Sequence, residues 1–342
     1  NMPNQRQLFR ESFLNNKVIF VDGFVGGGKT LLGQIISSLD SVEMWVHRPL
    51  VEQLCGLHAH GEINEASAIN LLNCCFDNEA YSQALLRDSN FRHYDHSSIF
   101  KYPKKIEYLK RIFNSNDVDL FNQFTEDNRT LHFMSHGITA ISEPIFQSLG
   151  DRLIFCRLTR CPTSIYMLNH LANWSKRWGK ESRNGMICND VNGEKVPYFI
   201  VNRVEEYAKA NEHERAIIML EEWLVEGHKI SDEKNTKIIE VPFENFVFNP
   251  HEFIEKIAAK LGQTINKRTI KEMRKQGVPR KSLDDAPKNH VFEIRGRKKP
   301  EKHFPPKDQI LEELKELKNF LKPHAFKRVQ NLSDEYVSRY LD

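Results

Sequence analysis

No stretch of about eighteen consecutive apolar residues occurs in this 342-residue chain, which excludes a hydrophobic membrane-spanning helix. Cysteine is scarce and irregular. Cys55, Cys74, Cys75, Cys156, Cys161 and Cys188 contain no CxxC pair, which argues against a cysteine zinc site and a secreted disulfide scaffold. Reduced thiols in a cytoplasmic protein are the expectation. Residues 1–16 are polar and lack an apolar core before a small-residue cleavage site, so no secretory leader is read there. Repeats and low-complexity tracts are missing too. Net charge is only +3, but it is uneven: residues 267–307 hold 14 basic and 5 acidic side chains, leaving −6 on the rest. A nucleic-acid binder is usually basic across its whole domain. A local basic segment on a mildly acidic body fits a small polyanion, or else a solvated charged loop.

What is present describes a folded enzyme-sized chain. Hydrophobic residues make up 40% and charged residues 28%, with 22 phenylalanines dominating the aromatics. A chain of this length buries a large core without disulfide or metal staples. Residues 17–21 (KVIFV) read as a buried strand, residues 30–39 (TLLGQIISSL) as a helix, and 130–134, 152–158 and 237–241 as further strands. Helices are expected over 71–86, 105–114, 162–174, 202–227, 251–261 and 307–321. The alternation predicts an α/β fold, a three-layer P-loop architecture with a central, mostly parallel sheet flanked by helices. One domain over 1–342 is expected. A helical insertion at 49–128 and a mobile loop at 180–197 are expected to shape a substrate pocket, since variable loops on a rigid sheet usually carry specificity.

Gly23-Phe24-Val25-Gly26-Gly27-Gly28-Lys29-Thr30 satisfies GxxxxGK[ST] in full. Glycines let the backbone approach phosphate, and amides at a helix start point toward the anion. Lys29 supplies charge to an outer phosphate, and the Thr30 hydroxyl reaches phosphate or a metal ion. With a strand before and a helix after it, this is a phosphate-binding loop. Nucleoside-triphosphate enzymes of this type normally hold Mg²⁺ with a carboxylate ending a second apolar strand. Here the second strand ends in Ser135-His136 and the third in Thr159-Arg160, leaving Asp22, Glu143 and Glu244 as the available carboxylates.

The order of segments resembles the sulfotransferase superfamily, whose members move a sulfuryl group from 3′-phosphoadenosine-5′-phosphosulfate (PAPS) to a hydroxyl or amine. Residues 28–38 (GKTLLGQIISS) look like its 5′-phosphosulfate loop and helix. Residues 153–170 (LIFCRLTRCPTSIYMLNH) are similar to its 3′-phosphate strand, turn and helix, with Arg160 and Pro162 on the turn. Residues 241–262 (VPFENFVFNPHEFIEKIAAKLG) match a structural signature, and 294–298 (IRGRK) a late basic loop. The chain departs from the pattern at Lys29, where the family has Thr, and at Leu168, where it has Ser. The resemblance implies that Gly26, Gly27, Gly28, Lys29, Thr30 and Leu31 hold the 5′-phosphosulfate. It likewise implies that Arg160, Arg295, Arg297 and Lys298 hold the 3′-phosphate.

Sulfuryl transfer requires a base for the acceptor and positive charge on the moving group. His136, ending the second strand, is the expected base, and the resemblance places a histidine in a similar context. Lys29 is the expected catalytic cation. His132 is expected to be packed. The His58-x-His60 and His93-x-x-His96 pairs lack a visible third ligand, so no metal is expected. Trp174 and Trp178 share a helical face by spacing and either stack on a ligand or fill the core. Two alternatives stay open: a kinase using ATP with Mg²⁺, and a non-catalytic nucleotide-binding protein. The acceptor is not legible.

Overall fold

The computed structural model describes residues 9–13, 15–182, 186–283 and 305–342. Strand β1 (Val18–Gly23) leads through the glycine loop into helix α1 (Lys29–Ile36), and β2 (Val42–Val46) follows. Four helices come next: α2 (Pro49–Ala59), α3 (Glu65–Leu85), α4 (Lys105–Ile112) and α5 (Asp117–Glu126). Then come β3 (Thr130–Ser135), α6 (Glu143–Leu149), β4 (Leu153–Thr159) and α7 (Ile165–Ser175). A hairpin of β5 (Cys188–Val191) and β6 (Glu194–Pro197) precedes α8 (Val204–Lys209), α9 (Glu212–Glu221) and α10 (Gly227–Glu233). The chain closes with β7 (Ile238–Pro242), α11 (Phe243–Phe248), α12 (Pro250–Lys260), α13 (Lys267–Lys275), α14 (Pro306–Phe320) and α15 (Pro323–Tyr340).

Among the described residues five parallel strands form one sheet in the order β2-β3-β1-β4-β7. Every β1 residue is buried, as expected of a central strand covered on both faces. Val18 and Phe20 point to the face covered by α3 and α6, while Ile19 and Val21 point to the face covered by α1 and α12. On the first face Phe20 stacks on Phe133 at 5.0 Å and on Phe155 at 6.1 Å, a row of rings across three strands. β1 therefore sits at the centre, and its C-terminal end opens on the glycine loop. That edge is where ligands bind in open α/β sheets.

The sequence-expected strands and the α/β class agree with this architecture, whereas several boundaries do not. β2 is an additional strand; its second residue, Glu43, is fully buried and pairs with Arg111 and Arg129, which masks the apolar pattern. The loop expected at 180–197 is in part the β5–β6 hairpin, turned by Asn192 (φ 53°) and Gly193 (φ 87°). The single helix expected over 202–227 is broken. Asn211 starts α9 with a capping box to Glu214, and residues 222–226 form a π-turn. The turn is tied to β4, because the fully buried Arg157 donates to the carbonyls of Trp223 (2.9 Å) and Leu224 (3.2 Å) and pairs with Glu240 (2.8 Å). A Cβ at Gly227 would lie 2.6 Å from the Arg157 Nη2. With that guanidinium pinned on three sides, Gly227→Ala is expected to cost about 1–3 kcal/mol by overpacking. A lower urea midpoint at unchanged slope is the measurement. Among the described residues no helix is long and apolar enough to cross a membrane.

Candidate functional site

The glycine loop sits between β1 and α1 with Gly26 at φ 86° and Gly28 at φ 107°, backbone that only glycine adopts without strain. Gly28 is also the N-cap of α1 and offers no side-chain acceptor, leaving the helix start open to an anion. A Cβ at Gly28 would lie 2.6 Å from the Phe243 ring, so loop and ring are in direct contact. Phe243 carries two cations. The Arg160 guanidinium lies 4.4 Å from its centroid and that of Arg280 5.5 Å. Arg160 also donates to the Gly26 carbonyl at 3.1 Å, which joins it to the loop. Arg280 was missed in the sequence because it is one of many basic residues in its segment.

Lys29 is buried, and its Nζ donates to the carbonyls of Gly23 and Ser135, both at 2.5 Å. Burial pushes its pKa down to about 8, against the pull of Asp22 and Glu52. Leu31 packs partly against the apolar cluster on the α1 face of the sheet.

Asp22 has a structural role. One oxygen accepts from the Ser135 hydroxyl (2.8 Å) and the amides of Gly137 (2.8 Å) and Ile138 (3.1 Å); the other accepts from the Thr139 amide (2.9 Å) and hydroxyl (2.6 Å). The carboxylate ties the turn after β3 to the end of β1, which sets His136 beside the loop. The other two candidate magnesium ligands are committed as well. Glu143 pairs with Lys234 (2.7 Å), and buried Glu244 accepts from Tyr336 (2.6 Å) and the Cys161 amide (3.2 Å). All three carboxylates that the kinase alternative would draw on thus have protein partners in this structure.

His136 Nδ1 lies 3.0 Å from Glu52 Oε1, and His47 Nε2 lies 3.2 Å from the same oxygen. The two imidazoles meet edge to face at 4.4 Å. The Tyr198 hydroxyl donates to Glu52 Oε2 at 2.9 Å. Burial would raise the Glu52 carboxyl, but His136 and His47 outweigh it and hold it well below its usual range. Burial and then the Lys29 charge push His136 down to about 4, so its ring is neutral near pH 7. Neutral with Nδ1–H on Glu52, it keeps an unprotonated Nε2. His132, by contrast, is packed, with Nδ1 3.0 Å from the Ser37 hydroxyl. His47, Glu52 and Tyr198 come from β2's end, α2 and the segment after β6, contacts that no local spacing encodes.

These groups face a cavity of about 250 Å³ walled by Phe24, Leu171, Trp174, Trp178, Tyr198 and Phe199. Trp174 and Trp178 are 5.3 Å apart; α7 ends at Ser175, so Trp178 reaches the wall from the turn beyond the helix rather than from its face. Leu168, at the position where the family carries Ser, is fully buried in the core, and Asn169 points to His213 (3.1 Å). Arg295, Arg297 and Lys298 lie outside the described residues.

Together, sheet order and glycine loop define an α/β protein of the P-loop type. No family model matches the chain, and no curated protein matches it. Among solved structures, it is similar to the sulfotransferase domain from the Synechococcus PCC 7002 olefin synthase. That likeness covers 90% of this chain and 98% of the other at 14% identity and a TM-score of 0.40. It is also similar to sulfotransferase STF9 from Mycobacterium avium (95% and 77% covered, 10% identity, TM-score 0.40). A sulfotransferase from Alicyclobacillus acidocaldarius aligns over 94% and 97% at 11% identity and a TM-score of 0.36.

Proposed function

We propose that the chain transfers a sulfuryl group from PAPS to a hydroxyl or amine acceptor held in the aromatic-walled cavity. The observation that carries the reading is the joint placement of an anion cradle and a neutral imidazole at one sheet edge. Lys29, Arg160 and Arg280 supply positive charge around the cradle. Gly26 to Thr30 would hold the 5′-phosphosulfate, with Lys29 opposing charge that develops on the moving group. Arg160 and Arg280 would take the 3′-phosphate across the face of Phe243. His136, oriented through Nδ1 by Glu52, would accept the acceptor's proton at Nε2. Helices α2 to α5 and the β5–β6 hairpin would shape the acceptor's surroundings within a single domain.

Calorimetry with adenosine 3′,5′-bisphosphate and with ATP, each with and without Mg²⁺, tests the donor. Bisphosphate binding is expected to be metal-independent and to weaken about 10–100-fold in Arg160→Ala, the loss of one charge-assisted contact. Mg²⁺-dependent ATP binding without bisphosphate affinity would overturn the reading in favour of a kinase.

A further inference from the structure

His47, Glu52 and His136 each offer a ligand atom within 4.8 Å of the others, and His47 Nε2 and His136 Nδ1 stand 3.2 and 3.0 Å from Glu52 Oε1. Ligands about 2.0–2.1 Å from a tetrahedral zinc ion are roughly 3.3 Å apart, so two of the three separations already match a coordination triangle. Both imidazoles converge on one oxygen of Glu52, and its other oxygen accepts from the Tyr198 hydroxyl. That contact is of the kind that orients a metal-binding carboxylate from outside.

The three donors also come from rigid places. His47 follows β2, Glu52 lies in the first turn of α2 and is only 5% exposed, and His136 is in the turn pinned by Asp22. Both histidines are part-exposed and, with Glu52, line the aromatic cavity, so an ion has a way in and a fourth position has room to face the cavity.

We infer that His47, Glu52 and His136 form a binding site for a divalent transition-metal ion of the zinc class, with one coordination position open to the cavity. Two imidazoles and one carboxylate suit zinc or cobalt; magnesium prefers an all-oxygen octahedron. The open position would take an oxygen or nitrogen of whatever occupies the cavity. The inference goes beyond the transfer reading, since it requires only these three side chains and is tested without turnover. Occupancy and the base role exclude one another at His136, because a neutral ring coordinated through Nδ1 carries its proton on Nε2, the atom that would have to accept one.

The test uses the full chain stripped with chelator and then titrated with Zn²⁺ alone by calorimetry and with Co²⁺ by visible absorption. One equivalent is expected to bind, with the intense bands of four-coordinate cobalt. Binding should disappear in His47→Ala, a part-exposed position whose loss leaves the core intact. Tyr198→Phe should weaken it about 10–100-fold, the usual effect of removing a partner that orients a ligand. Absence of saturable binding, or binding unchanged in His47→Ala, would overturn the inference. Neither result bears on bisphosphate binding at the glycine loop, so the donor half of the transfer reading stands or falls on its own test.

Discussion

His136→Ala, assayed on the chelator-treated chain, is expected to lower sulfuryl transfer by about 10²–10⁴-fold, the range for removing a positioned general base. Bisphosphate affinity should change little, because the donor's phosphates would be held by the glycine loop, Arg160 and Arg280. The wild-type ring is neutral near pH 7 and donates through Nδ1 to Glu52, so the proton it accepts must go to Nε2. Equal, measurable transfer rates in wild type and variant would remove His136 from the chemistry, and no transfer by either would favour nucleotide binding without turnover. If the chelator alone abolishes wild-type transfer, the activity depends on the cation instead of on the free imidazole.

The second large effect concerns stability. Asp22→Ala should cost about 3–5 kcal/mol, because it strands buried donors that now share one carboxylate. Ser135, Thr139 and the amides of residues 137–139 are those donors, and the region admits little water. For a chain of this size the melting temperature would fall by roughly 4–7 °C. A drop below about 1 °C would mean that the turn after β3 is held mainly by its own packing. Transfer should suffer beyond the stability loss, since the same turn carries His136.

The residues that the sequence made legible are those whose chemistry is local. KVIFV, the glycine loop and the helix after it form one contiguous unit, and each step is forced by burial or by backbone geometry. The expected strands around residues 130, 153 and 238 are apolar runs that match their places in the sheet. Other features were written in the sequence in a form that composition obscures. Asn192-Gly193 is a two-residue hairpin signal with positive φ at both positions, but it sits in a polar stretch that looks like a loop. Asn211 and Glu214 spell a capping box inside an otherwise continuous amphipathic pattern.

The residues that the fold gathers around the glycine loop and His136 were not legible at all. Glu52 shows no local mark of its role, because its partners His47, His136 and Tyr198 are brought to it only by the fold. Arg280 is one basic residue among many until Phe243 places it across a ring from Arg160. Glu43 made β2 look unlike a strand for a similar reason: its compensating cations, Arg111 and Arg129, lie far along the chain.

The Asp22 network also has a mechanical consequence. Because its bonds fasten residues 135–139 to the end of β1, and Lys29 bonds to both Gly23 and Ser135, the glycine loop and the histidine turn move as one body. Their spacing is expected to stay the same when a ligand binds. The wall segment carrying Tyr198 is joined to α2 by the Tyr198 hydroxyl's bond to Glu52 and by His60's bond to the Tyr198 carbonyl, and α2 is joined to the sheet end through Glu52 with His136 and His47. Adjustment to different acceptors would fall on that wall, while the donor side remains a fixed template against which each acceptor must fit.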